Sequence, residues 1–211
     1  ILIKRGAGKL TLDCSSNRTT SDLIISAGSV ELKGERSLGS GKITLQIVTI
    51  ATDIGGASLE LANAFVFDGG TAGELNIAAN DTLILSGAIS GSLPLIKSGL
   101  GKLVFNSTNN TRTGTMEIQA GTVAVNSSAN IGGALTIGNG TLLTSGDFSH
   151  ANAITLSADN ATIDVSSGTF RLDGTISGVG SLTNAGSGTL AIGATNNYDK
   201  TIITGGTLQI D

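Results

Sequence analysis

A chain of 211 residues with 31 glycines, one cysteine, 3% aromatics and a net charge of −4 excludes several classes at the outset. The acidic balance argues against a nucleic-acid partner. The lone Cys14 precludes an internal disulfide, and no 18-residue apolar run supplies a membrane-spanning helix.

The chain opens on ILIK and reaches its first glycine-led unit at Gly8, GKLTL. The pattern is glycine, a small or polar residue, apolar, any, apolar. It returns as GSVEL (Gly28), GKITL (Gly41), GELNI (Gly73), GKLVF (Gly101), GTVAV (Gly121) and GALTI (Gly133). GTFRL (Gly168), GTLAI (Gly188) and GTLQI (Gly206) follow, and DTLIL (Asp81), NAITL (Asn152) and ATIDV (Ala161) keep the alternation without the glycine. Apolar residues at every second position predict short strands with one buried face, and the glycine suits a sharp turn before each. No segment predicts a helix, and SLELANAFVFDGG (Ser58 to Gly70) reads as strand. Pro94 is the only proline, and the one Asn-Gly pair, Asn139-Gly140, falls inside a repeat unit where no hairpin is expected.

In the second half the first apolar residues of the strands fall at 103, 116, 123, 135, 142, 154, 163, 170, 182, 190, 202 and 208. Every second one is about 20 residues on, the period of a β-solenoid. The reading is an all-β parallel β-helix of about ten coils, with residues 1–211 as one domain. Leu10, Val30, Leu103, Val123, Leu190 and Leu208 are expected to face inward, and Thr122 outward.

A longer repeat overlies the short one. KRGAGKLTLDCSSN at Lys4 returns as KSGLGKLVFNSTNN at Lys97 and NAGSGTLAIGATNN at Asn184. Each copy runs on to a second glycine-led unit: SAGSVEL (Ser26 to Leu32), QAGTVAV (Gln119 to Val125) and TGGTLQI (Thr204 to Ile210). The first two copies are offset by 93 residues, and the third begins 87 further on. This long unit resembles the passenger-associated transport repeat of bacterial autotransporters. Asn109-Asn110 and Asn196-Asn197 match that family's asparagine turn. The first copy departs with Ser16-Asn17, and the third puts Asn184 where the family's lysine stands. The resemblance implies a right-handed β-helical passenger, cysteine-poor, at the extracellular or bacterial outer-membrane surface. With no leader and no translocating barrel in the sequence, the chain is expected to be a segment of a longer passenger.

Sites for chemistry are sparse. GSGKIT (Gly39) and GAGKLT (Gly6) have an apolar residue where a phosphate-binding loop needs Ser or Thr after the lysine, so no nucleotide is expected. GGTAGELNI (Gly69) lacks the aspartate of calcium-binding nonapeptides, and His150 is the only histidine, against a zinc site. Asp147 and His150 are expected to form a solvated pair and not part of a triad. A carbohydrate-active β-helix enzyme would need paired carboxylates. Asp159, Asp164 and Asp173, with Arg171 nearby, are the candidates, yet nine residues between Asp164 and Asp173 put those two on different faces. Cys14 is expected to be a small buried or loop residue. The seven Asn-x-Ser/Thr sequons, Asn17, Asn80, Asn106 and Asn160 among them, carry little weight in so Asn- and Thr-rich a chain. Asn109, Asn110, Asn196 and Asn197 are expected to stack in ladders.

The expected function is a non-catalytic structural or adhesive module with no cofactor, metal or catalytic residue. Its partners are neighbouring coils of the same chain or head-to-tail copies, and a host or cell-surface ligand. The alternative is a lyase or glycoside hydrolase. Residues 1 to 42 hold seven Lys or Arg against four acids, and residues 147 to 211 hold two against six. Basic and acidic ends of one cross-section favour stacking that extends and does not close.

Overall fold

A computed structural model describes residues 1–13, 21–33 and 40–211. Cys14, Ser16, Asn17, Arg18, Arg36 and Gly39 lie outside the described residues. The strands pair in parallel, each with a strand 18 to 25 residues along, so that Leu2 stands beside Leu23, Leu23 beside Ile43, Ile43 beside Phe65 and Phe65 beside Ile89. The result is a β-solenoid of about ten turns.

The winding has three sides. Side one holds Leu2–Lys4, Leu23–Ile25, the first parts of Ile43–Thr52 and Phe65–Asn76, and Ile89–Gly91. Side two holds Lys9–Leu12, Ser29–Leu32, the second parts of the same two long strands, Leu95–Ser98, the first parts of Met116–Val125 and Leu135–Ser145, then Ile154–Leu156 and Ile176–Gly178. Side three holds Ser58–Leu61, Thr82–Leu85, Lys102–Phe105, the later parts of Met116–Val125 and Leu135–Ser145, then Ala161–Ser167, Leu182–Gly186 and Thr201–Ile203.

Side one loses its strand pairing after Ile89–Gly91 but keeps its stack. Thr111 and Thr113 donate backbone bonds of 2.8 and 3.0 Å to Ile89 and Gly91. Asn110 bonds Asn130, and Ser128 meets His150, one coil after another. A four-stranded sheet then takes over: Phe148–His150, Thr169–Leu172, Thr189–Ile192 and Thr207–Ile210.

Alternation fixes what is inside. In Lys102–Phe105, Leu103 and Phe105 are buried while Lys102 and Val104 are half-exposed. Leu103 sits between Leu83 and Val123, which continues to Leu142 and Ile163. Such rows of Leu, Ile and Val line the interior, with Phe65, Phe67 and Phe170 buried among them. Of the residues expected inside, Val30, Leu103, Val123 and Leu190 are fully buried. Leu10 and Leu208, near the two ends, are partly buried against the core.

Two expectations need correction. A one-turn helix, Ser128–Ile131, stands on side one where no helix is expected. The every-second-strand ladder holds through 142, 154 and 163 and then slips. Ile154 is continued by Ile176, not Phe170, and Ile163 faces Asn184 while Leu182 faces Ala161. The physical reason is that a coil has three sides, and here each carries its own strand. Phe148–His150 begins the extra strand; Gly146 leads it as Gly168 leads Thr169–Leu172, but His150 stands where the pattern has its second apolar residue, and it comes close after a register shift at Thr144/Ser145.

The same geometry explains the long repeat. Its first copy runs from side one to side two, its second from side two to side three, and its third from side three to side one. An offset of 93 or 87 residues is four coils and about one third of another, so each copy advances by one side.

Candidate functional site

The repeat's most unusual feature is a lysine that points inward. Lys97 alternates in step with buried Leu95, lies between Leu75 and Ile118, and is fully buried. Its Nζ donates to the carbonyls of Ser98 and Gly99, both at 2.8 Å, and of Ala120 in the next coil at 3.1 Å. Lys4 repeats this one copy earlier, donating to Gly6 at 2.7 Å and Ala27 at 2.9 Å. Asn184 repeats it one copy later, with Nδ2 donating to Gly205 at 3.1 Å. The turn glycine, at positive φ in all three copies (Gly6, Gly99, Gly186), turns its carbonyl inward, and the lysine supplies the missing donor. Burial pulls the pKa of Lys97 down to about 8.

Sequence reasoning missed other buried polar groups. Arg112, with burial lowering its pKa to about 10, donates to the carbonyls of Ile131 and Thr115 and tethers 112–115 to the end of the short helix. Asp81 accepts from Thr52 Oγ1 at 2.8 Å and from the amides of Ile54 at 3.1 Å and Gly56 at 2.7 Å, closing the corner before Ser58–Leu61. These groups hold turns together.

The candidate catalytic residues are not brought together. His150 is fully buried, with Nδ1 3.0 Å from Ser128 Oγ, while exposed Asp147 accepts from the Thr169 amide at 2.7 Å. The expected solvated Asp147–His150 pair is therefore corrected: alternation along Phe148–His150 sends the imidazole inside. Asp164 lies on side three and Asp173 follows a strand of side one, so the two carboxylates stand on different sides. Arg171 pairs with Asp173 at 2.6 Å and with Asp211. Asp159 and Asp199 flank Ser181, whose Oγ reaches Asp199 at 3.0 Å. Among the described residues no group of three His, Cys, Asp or Glu side chains could hold a metal ion.

Of the four turn asparagines, only one from each pair stacks through its side chain. Asn110 Oδ1 accepts from the Ile89 amide at 2.9 Å and its Nδ2 donates to Asn130 at 2.6 Å; Asn196 Oδ1 accepts from Ile176 at 2.8 Å. Asn109 and Asn197 are exposed.

The outer surface carries the other candidate. On side three the outward row Ile84, Val104, Ala124, Leu143 is apolar. Beside it run Thr82, Lys102, Thr122, Thr141, Thr162 and Thr183, one per coil. A groove of about 260 Å³ follows the apolar row past Asn106 and Asn126. The signal was present in the units TLIL, KLVF, TVAV and TLLT, whose outward positions are also apolar. Among the described residues no helix is long and apolar enough to cross a membrane.

Comparison with known proteins follows the repeat. A family model described as the passenger-associated transport repeat matches residues 2–32, 95–125 and 182–210. The chain is similar to the adhesin BmaC autotransporter of Brucella suis biovar 1 (strain 1330), 34% identical over 174 residues. That alignment covers 76% of this chain and 5% of the length of that protein. No solved structure matches the chain.

Proposed function

We propose that this chain, which carries three passenger-associated transport repeats and resembles an autotransporter passenger, is a non-catalytic adhesive module of a bacterial surface protein. The observation that carries the reading is the repeat itself. Its lysine, glycines and apolar rows are spent on holding coils together, which makes the winding a rigid spacer that presents its outer rows at the cell surface. The half-exposed Ile84–Val104–Ala124–Leu143 row with its threonine border is the ligand-facing surface in this reading. The end strands pair with further coils of the same β-helix or, in the isolated segment, with head-to-tail copies. The likeness to an adhesin supports the adhesive role.

A binding screen of the folded chain against host-matrix proteins, glycans and bacterial surface polysaccharides tests it. The expected result is at least one ligand whose binding is lost in Val104→Lys and Leu143→Lys, with the fold kept. Release of reducing ends from a bound polysaccharide would instead favour the lyase or hydrolase alternative.

A further inference from the structure

The third repeat copy departs from the other two at one place, and two changes meet there. In the first and second copies a lysine ammonium lies against the turn carbonyls: Lys4 on Gly6 and Ala27, Lys97 on Gly99 and Ala120, at 2.7 to 3.1 Å. In the third copy the corresponding carbonyls are those of Gly186 and Gly205, and the inward side chain is Asn184, two bonds shorter and neutral. Asn184 is fully buried, and its Oδ1 has no hydrogen-bond partner among the described residues.

The second change lies in the coil beneath. A Cβ added to Gly99 would stand 2.9 Å from Asn76 Oδ1; one added to Gly186 would stand 2.5 Å from Asp164 Oδ1. Asn76 and Asp164 thus occupy the same place against the turn, each half-exposed on the outward face of its strand. Among the described residues Asp164 has no hydrogen-bond or ion-pair partner. From second copy to third, inward Lys97 with outward Asn76 becomes inward Asn184 with outward Asp164, so the formal charge across the two faces of the turn goes from +1 to −1.

We propose that the third copy binds a monovalent metal cation where the first two hold the lysine ammonium. Its oxygen ligands are the carbonyls of Gly186 and Gly205 and Oδ1 of Asn184, and Asp164, on the outer face of the same turn, is its counter-charge and not a ligand. Rotating the Asn184 amide about its last bond exchanges Nδ2 for Oδ1 facing Gly205 and keeps the outline of the side chain. Carbonyl oxygens can replace the hydration shell of such an ion, and a single carboxylate beside neutral oxygens is poorer in charge than a calcium cage. The inference is independent of the adhesive reading.

The test is hydrogen exchange at the Thr204 and Thr207 amides, which bond Asn184 and Gly188 across this turn. The whole chain is measured in potassium chloride, sodium chloride and tetramethylammonium chloride of equal ionic strength. Exchange is expected to be about tenfold slower in potassium or sodium, as mass action gives for an ion at roughly ten times its Kd. Asn184→Lys should exchange equally slowly in all three salts, and Asp164→Asn should lose most of the metal-ion effect. Equal exchange of the unaltered chain in all three salts overturns the site. If Asn184→Lys does not fold, Asp164→Asn decides, since an undiminished potassium effect in that variant is equally fatal.

Discussion

Lys97 and Leu103 lie six residues apart and are both fully buried, yet only one was legible as such. Leu103 was read from alternation, which works wherever the interior is apolar. Lys97 obeys the same alternation, but its chemistry argues for solvent; the reason it turns inward is a cluster of carbonyls made by a turn and the next coil, which no local pattern shows. Leu103→Asp is expected to destabilise by more than about 4 kcal/mol, because an unpaired charge then stands among Leu83, Val123 and their neighbours. Thr122→Asp, half-exposed and beside Lys102, should stay within about 0.5 kcal/mol. Chemical denaturation of both variants checks the assignment of faces; comparable midpoint shifts would defeat it. His150 gives a pH test. Burial lowers its pKa below the ordinary 6.5, and Nε2 has no partner. Below pH 6.5 the unfolded chain therefore binds a proton that the folded chain resists. Stability is full above 6.5 and falls as the pH drops toward the folded pKa. His150→Asn should flatten that part of the stability–pH curve, measured by urea unfolding between about pH 7 and 5.

Most strands were legible because period-two alternation and a leading glycine act within five residues. The glycine was read as a turn former, and the structure assigns part of its role to the neighbouring coil. Gly8 and Gly101 hold the same place in the first and second copies. A Cβ on Gly8 would meet nothing within 4 Å, whereas one on Gly101 would stand 2.2 Å from the Ala78 carbonyl and 2.6 Å from Ile77. In this 211-residue chain Gly8→Ala is thus expected to be near neutral. Gly101→Ala should cost about 1 to 3 kcal/mol, as overpacking does. Paired thermal melts decide, and equal losses would return the glycine to a purely local role. The elements that stayed illegible depend on what lies above and below them. The helix Ser128–Ile131 is too short to show a period, and its Asn130 is held by Asn110 of the coil before and Asn126 before it in the chain. The strand Phe148–His150 packs Phe148 on Phe170, ring centroids 4.8 Å apart, and its glycine-led pattern is cut short by His150 at the second apolar position.

At the scale of the molecule, the period near 20 residues gave the solenoid, and two strands per period concealed its three sides. The inward rows are buried along the middle and lose their cover at the ends, where Ile1, Leu2, Ile3, Ile202, Ile203 and Ile210 are exposed; Leu100 and Val179, in turns, are exposed as well. Those ends also differ in charge. Among the described residues the first coils present Lys4, Arg5, Lys9, Lys33 and Lys42 against Asp13, Asp22 and Glu31; the last coils present Asp199 and Asp211 beside Lys200. Part of that charge is already spent inside the chain. Lys9 and Lys33 pair with Glu31 and Asp53, and Asp211 pairs with Arg171. Two forces could bring one end of the isolated chain onto the other, and salt separates them. Apolar burial strengthens or holds with added salt, while attraction between basic and acidic ends is screened within about 10 Å at 0.1 M. The exposed isoleucines and unpaired strand edges are present at both ends, whereas net charge is partly neutralised. Association of the chain is accordingly expected to be head to tail, to grow with concentration, and to weaken less than about threefold as sodium chloride rises from low to molar levels. Sedimentation velocity across that series reads it directly. Monomers at every concentration would sink end-to-end stacking, and association abolished by modest salt would assign it to charge in place of the apolar edges.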